Sequence, residues 1–578
     1  MLLQRNPPLD HCIPPNTPHS VIQSLPTWQD NVYRAIGRPS TGIPETCYPR
    51  FVIHPFVRPV SVPTSLFTTL IQMSLEALNA STDQTCFLFP SMRLAKAFRS
   101  YMYLQFPSSF SEHAEIRCVS NTLNPPPGYD IFAVRFHVDQ RRMAMKFWTF
   151  SGAGISSRLA ENCISRQNGN LEPTLGLPNV PDHEYSDFYN SHIPLTSASE
   201  AKEKIKYRYA GIDVDDITKN VRGVEGIKTS DVYLYPAGMN AIWDIHQMLH
   251  DVCKPDADTR VYLTAHVNVL YVDSYKLIDT TSSGFHFFTN ETLDDLERLL
   301  ESDDNAVLGI FTDFPGNPHL RSADLPRLRQ IADKHELPII IDETAGCHLN
   351  VAMLEYADIV VASLTKVFSG FANVLGGALL LNPQSSFYAK FKAHLDANYE
   401  DNYFDADALV MELNSRGFEE RLHKINNNAE ALADWLFDRS KVGGEMNTVI
   451  EEVFYPKYQC REHYERCMRP IESSGIDAQC MGKNKFKPGY SGTVALSFTS
   501  LEAAKTFYES CQCYKGTTLG TVVTLLSPFV AIAFPPDKMD WVREHGMTEA
   551  LVRFTVGTED ISRILNSVEA ALFAAEKC

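Results

Sequence analysis

The sequence predicts an α/β protein: a mainly parallel sheet in a large domain, a small C-terminal α+β domain and an N-terminal α/β extension. Three observations lead there. From about 197 to 400, short and mostly apolar runs alternate with helix-like stretches, the pattern of strands covered on both faces by crossover helices. A helical stretch rich in Asn and Glu, about 404–439, then leads into a segment with three further strand-like runs. Before 197 a separate alternation ends in a polar stretch with Gly and Pro, about 165–195, that reads as a linker. The expected boundaries are therefore 1–195, 196–400 and 401–578, and 578 residues at 44% hydrophobic can bury two or three cores.

In the extension, Tyr48 to Val57 reads as extended, Cys86 to Phe89 as a strand and Ser91 to Gln105 as a helix. Tyr129–Val138 and Met143–Phe150 flank Asp139-Gln140-Arg141-Arg142, which reads as a hairpin. In the middle region a helix to about 210 precedes strands at Val232–Tyr235 and Val261–Ala265, with helices from Met239 and Leu293. Ala306–Thr312, Pro338–Asp342, Ile359–Ser363 and Gly377–Leu381 continue the strands. The last part predicts strands near Val449–Tyr455, Thr493–Phe498 and Ala531–Phe534.

Charge narrows the function. Lys+Arg of 52 against Asp+Glu of 70 gives −18, a field that repels nucleic acid and anionic membranes. The start lacks a signal-peptide core, and no apolar run reaches the roughly 18 residues of a membrane span. The thirteen cysteines show no zinc or disulfide spacing, and Cys511-Gln512-Cys513 is tighter than a zinc pair. Reduced thiols, a cytoplasmic location and no metal site are expected.

Chemistry gathers at strand ends, where ligands bind in open α/β sheets. Ala357 to Ser363 is an apolar run that delivers Lys366 to such an end, with the hydroxyls of Ser363 and Thr365 suited to a phosphate. Taken alone, a surface lysine reads as well. Pro338 to Ile341 ends in Asp342, an acid of the kind that keeps a pyridine nitrogen protonated; the alternative is a helix cap. Tyr235-Pro-Ala-Gly238-Met239 opens a helix whose free N–H groups can cradle phosphate, and Asn317-Pro318 sets an amide beside a rigid turn. Lysine, acid, phosphate cradle and amide together call for pyridoxal 5′-phosphate (PLP).

In this order and spacing, Lys366, Asp342, Gly238-Met239 and Asn317-Pro318 resemble the cystathionine γ-synthase family of PLP enzymes. Val552-Arg553 to Asp560 is similar to the family's arginine motif, which implies that Arg553 grips the substrate α-carboxylate. Thr517-Thr518-Leu519-Gly520 resembles its Ser-Leu-Gly segment, placing Thr518 near that carboxylate. Tyr271 falls where the family stacks a tyrosine on the cofactor ring, with His266 the competing flat ring. Ile13 to His19, Leu25 to Trp28 and Tyr48 to His54 look like the extension of the large fungal members. The resemblance implies an aspartate aminotransferase-like PLP fold and a homodimer or homotetramer sharing its active site. It also implies an amino-acid substrate: γ-replacement on an O-acylated homoserine through a vinylglycine-type intermediate, with cysteine as nucleophile.

The sequence departs from the family in two places. Val272 and Asp273 stand where two glycines commonly follow the stacking tyrosine. The phosphate-clamping tyrosine and arginine fall near Phe188 to Ser191, where Tyr189 survives and the arginine does not; Tyr207-Arg208-Tyr209 reads as ordinary helix. These departures leave open a specialised γ-substitution with a carbon nucleophile, or a PLP-fold regulatory protein without turnover.

Overall fold

The computed structural model describes residues 6–37, 53–57, 70–171, 175, 196–212, 220–254, 262–281, 284–302, 306–470, 486–534 and 536–578. The extension carries β1 (Gln84–Phe89), β2 (Ile116–Cys118) and β3 (Phe132–His137) in a three-stranded sheet of order β1-β3-β2. The middle region supplies β4 (Val232–Tyr235), β5 (Tyr262–Val267), β6 (Phe285–Phe288), β7 (Ala306–Asp313), β8 (Ile339–Asp342), β9 (Ile359–Ser363) and β10 (Gly377–Leu381). They form one sheet of order β4-β10-β9-β8-β7-β5-β6. All its pairings are parallel except those of β10, which runs antiparallel to both β9 and β4. The carboxyl ends of β4, β5, β7, β8 and β9 therefore share one edge.

The last part forms a five-stranded sheet of β11 (Ile450–Phe454), β12 (Thr493–Phe498), β13 (Tyr514–Lys515), β14 (Leu525–Ser527) and β15 (Leu551–Thr555), ordered β11-β12-β15-β14-β13. Helix Leu501–Ser510 begins at Ser500, whose hydroxyl accepts from Ala503 N–H, and it buries Ala503, Ala504, Phe507 and Tyr508.

Three expectations are corrected. Residues 143–150 are not a hairpin strand but part of helix Arg141–Ser151. Ala144, Phe147, Trp148 and Ser151 are buried at helical spacing, and β3 finds its partners in β1 and β2 instead. Ala531–Phe534 lies largely in helix Phe529–Ala533, a fully apolar turn whose composition cannot separate buried helix from buried strand. The stretch 404–439 is two helices, Asp405–Ser415 and Phe418–Phe437, divided at Arg416-Gly417. Of the extended run expected at Tyr48–Val57, residues 48–52 lie outside the described residues, and 53–57 contain a turn.

The extension packs onto the large sheet. Phe147 meets Trp243 edge-on at 6.4 Å, which seats helix Arg141–Ser151 on helix Gly238–Cys253. Farther back, Val21 N–H donates to Ala372 O at 2.7 Å and Leu25 N–H to Lys515 O at 3.1 Å. Ile13, Val21 and Ile22 pack with Ala372, Val522, Val523 and Leu525, so the first segment straps the middle region to the C-terminal sheet.

Candidate active site

Strand β9 is buried along Ile359–Ala362, and the turn beyond it carries Lys366 to the shared sheet edge. Lys366 Nζ donates to Thr518 Oγ1 at 2.8 Å. The loop bearing Thr518 can lie this close because Gly520 has φ +70° and a Cβ there would fall 2.3 Å from Val367 N. Thr518 thus meets the lysine amine directly, nearer to Lys366 than the resemblance implied.

Asp342 ends β8 and accepts from Thr344 N–H at 2.9 Å. Burial pushes its carboxyl up to about 6 against the pull of the Thr344 hydrogen bonds. Asp313, at the end of β7, stands opposite it in register. Burial, and then the negative Asp342, hold Asp313 well above the usual carboxylate range, while Tyr271 N–H donates to it at 2.8 Å. Two carboxylates here require compensating protons or a cation.

Lys366, Asp342, Asp313, Tyr271, Asn317 and Arg553 line one cavity. Arg553, on β15 and buried, donates through Nη1 to Asn317 Oδ1 at 3.0 Å and through Nη2 to Thr517 O at 2.9 Å. Its guanidinium lies 4.9 Å from the centre of the Phe529 ring. Asn317 is thereby joined to the arginine.

Gly238 and Met239 line the same cavity at the N-terminus of helix Gly238–Cys253. A Cβ on Gly238 would meet Ser363 Cβ at 2.8 Å, so glycine lets the helix start lie against β9. Ser363 and Thr365 also line the cavity. The Thr365 hydroxyl, however, donates to Gly376 O at 3.3 Å and accepts from Gly376 N–H at 3.0 Å. These bonds brace the turn that carries Lys366.

His266 is fully buried, stacked on Phe311 at 5.6 Å and bonded to Thr264 Oγ1 at 2.9 Å. Burial pushes its imidazole down to about 3. It does not line the cavity, whereas Tyr271 does. The two departures after Tyr271 diverge: Val272 packs into the apolar cluster with Phe454 and Phe529, while Asp273 lines the cavity and pairs with Lys276 at 2.9 Å. Tyr189 lies outside the described residues. Arg208 lies in helix Ala198–Ala210 and pairs with Glu412 of helix Asp405–Ser415 at 2.9 Å.

Asp313, Thr344, Thr149 and Gly152 are among the lining residues that escaped sequence reasoning. Asp313 and Thr344 sit one strand or one turn from residues already singled out, and the β7–β8 register could have pointed to Asp313. Thr149 and Gly152 come from the extension, where no local signal marks them. Gly152, with φ +58°, would place a Cβ 3.0 Å from Asn240 N, so this loop lies flush on the first turn of helix Gly238–Cys253. Among the described residues, Glu297, Glu301 and His335 could approach a metal, yet Lys334 Nζ already bonds both carboxylates, at 2.7 and 2.8 Å. No helix among them is long and apolar enough to cross a membrane.

The donors match PLP group by group: an amine at Lys366, a carboxylate at Asp342 for the ring nitrogen, and a helix start at Gly238 with no Cβ in the way. Sheet topology and site define the lysine-bearing PLP enzymes of mixed α/β fold. The chain belongs to the Cys/Met metabolism PLP-dependent enzymes, whose family pattern matches residues 166–573. Residues 67–156 match the N-terminal domain of fungal trans-sulfuration enzymes.

The relatives span more than one chemistry. The chain is 35% identical to the cystathionine gamma-synthase-like enzyme iboG1 of Amanita muscaria, over 98% of this chain and 97% of that one. It is 31% identical to the cystathionine gamma-synthase of Neurospora crassa, covering 98% of each. It is also 28% identical to the alanine racemase ungC of Aspergillus violaceofuscus, over 97% and 96%. The chain is a PLP-dependent enzyme of the cystathionine γ-synthase type.

Proposed function

We propose that this enzyme replaces the acyloxy group on Cγ of an O-acylated homoserine. The observation that carries the reading is the pairing, in one cavity, of the Lys366 amine with the Arg553 guanidinium: one group moves protons, the other holds an α-carboxylate. PLP, when bound, supplies an electron sink for charge developing at Cα and Cβ. Lys366 takes a proton from Cα and then one from Cβ as the acyloxy group leaves Cγ as a carboxylate, and after the nucleophile has added at Cγ it returns protons to Cβ and Cα, with Thr518 steadying the amine between transfers. Arg553, held by Asn317 and the Thr517 carbonyl, fixes the carboxylate and thereby the face of Cα presented to Lys366. Asp342 keeps the proton on the ring nitrogen.

Cysteine is the family nucleophile and gives cystathionine. A second reading, a carbon nucleophile such as a β-keto acid, rests on Asp273, whose side chain lines the cavity where the family commonly has glycine and so changes the shape of the pocket. Incubation of the holoenzyme with O-acetyl-homoserine plus either cysteine or acetoacetate, with products identified by mass spectrometry, decides. Rapid cystathionine formation supports the first reading and sinks the second; a carbon–carbon product does the reverse. No γ-substituted product with either would overturn γ-replacement itself.

A further inference from the structure

A second cavity adjoins the cofactor cavity, and Gly152, Ala237 and Leu375 line both. Much of its wall comes from the extension: Ile53, Trp148 and Ile155 stand with Val374 of the middle region. Arg158, 1% exposed, also lines it. Its Nε donates to Leu175 O at 2.7 Å and its Nη1 to Asp407 at 3.1 Å, while its Nη2 is buried without a hydrogen-bond partner. Arg158 lies in the first turn of helix Ser157–Gln167, whose free N–H groups favour an oxygen at the same end. A buried guanidinium nitrogen left unpaired is unfavourable, so the site calls for an acceptor.

Charge decides which acceptor. Arg158 is already answered by Asp407, which lines the cavity too. His19 bonds Ser157 Oγ at 2.8 Å and Glu161 at 3.0 Å, and burial followed by the nearby Arg158 holds its imidazole well below the usual range, hence uncharged. His54 stacks on it at 5.5 Å. Among the described lining residues Arg158 is the one permanent cation and is already paired with Asp407, so an incoming carboxylate would face that acid, whereas a neutral oxygen would complete Arg158 alone.

We propose that this cavity is a substrate subsite for a short aliphatic group ending in an uncharged carbonyl oxygen, which accepts from Arg158 Nη2. The inference rests on the γ-replacement reading, in which that group is either the acyl group of the donor or the ketone of the acceptor.

The test measures binding and needs no turnover. The holoenzyme is titrated with homoserine, O-acetyl-homoserine and O-succinyl-homoserine through the cofactor's visible absorbance, and with ethyl acetoacetate by calorimetry. If the donor's acyl group occupies the subsite, wild type binds the acetyl ester roughly three- to tenfold tighter than homoserine or the succinyl ester, and Arg158→Lys abolishes that advantage while homoserine binding stays unchanged. If the acceptor's ketone occupies it, the same loss falls on ethyl acetoacetate. Ile155→Phe, which narrows the cavity without touching the Arg158–Asp407 pair, should reproduce whichever loss is seen and covers the case in which Arg158→Lys does not fold. Unchanged affinities in a coloured, folded variant would mean that buried water serves Arg158, and the proposal falls; tightest binding of the succinyl ester overturns it as well. Absence of product with every donor would defeat γ-replacement, while these titrations would still read the subsite.

Discussion

Arg553 Nη1 donates to Asn317 Oδ1 at 3.0 Å, tying β15 of the C-terminal sheet to the loop beyond β7. The arginine is thus aimed from the five-stranded sheet and held by a loop of the seven-stranded one. Its contacts to the Thr517 and Thr518 carbonyls and to the Phe529 ring help to fix the guanidinium plane. Arg553→Lys keeps the charge and loses the planar fork, so KM for the amino-acid substrate should rise about 10- to 100-fold with a smaller change in kcat. Steady-state kinetics check this, and an equal fall in kcat with constant KM would argue against carboxylate binding.

Lys366→Ala should leave a folded protein with no visible absorbance and no activity. Thr518→Val should keep the colour but lower kcat roughly three- to tenfold, since one hydrogen bond to the amine is lost. Absorption spectra before and after borohydride, with single-turnover rates, separate the two effects.

Asp342 links the site to pH. Burial raises its folded carboxyl to about 6 from an ordinary 3.8, so between these values the folded apoprotein holds more protons than the unfolded chain. The associated stability is fully present below the unfolded value and is lost as pH rises through about 6, by at most about 3 kcal/mol. Urea melts of apoprotein at pH 4.5, 5.5 and 7 should show wild type losing ground to Asp342→Asn as pH rises. In the holoenzyme the same substitution should cut kcat at least ~100-fold, because the ring nitrogen loses its acid partner.

Tyr271 and His266 should fail differently. Tyr271→Ala should shift the cofactor spectrum and weaken PLP binding, with little change in melting temperature. His266→Ala removes a ring packed among Phe311, Tyr275 and Phe285 and should cost about 2–4 kcal/mol of stability while leaving the spectrum intact. A spectral change confined to the histidine variant would reverse the assignment.

The large sheet was legible because fully buried strands must be apolar throughout: Ile339–Ile341 and Ile359–Ala362 announce themselves before any contact is known. Residues at their ends, Asp342 and Lys366, were legible for the same reason, since a charged group that closes such a run has one edge to occupy. Short apolar segments outside that sheet were not. Met143–Phe150 and Ala531–Phe534 satisfy both periods, and their packing partners, the helix Gly238–Cys253 for the first and the cluster with Val272 and Phe454 for the second, decide between helix and strand.

By itself the sequence determined the cofactor and singled out the candidate lysine, acid and helix-start glycine for it, because each is a local event at a strand end. Tertiary structure alone decided that Thr518 meets Lys366, that Arg553 meets Asn317, that Asp313 stands beside Asp342, and that Gly152 of the extension lines the cavity of Lys366 while Arg158 lines the one adjoining it. Those relations join residues far apart in the chain, and they exist because burying the apolar faces of the sheets and of the extension brings their edges together.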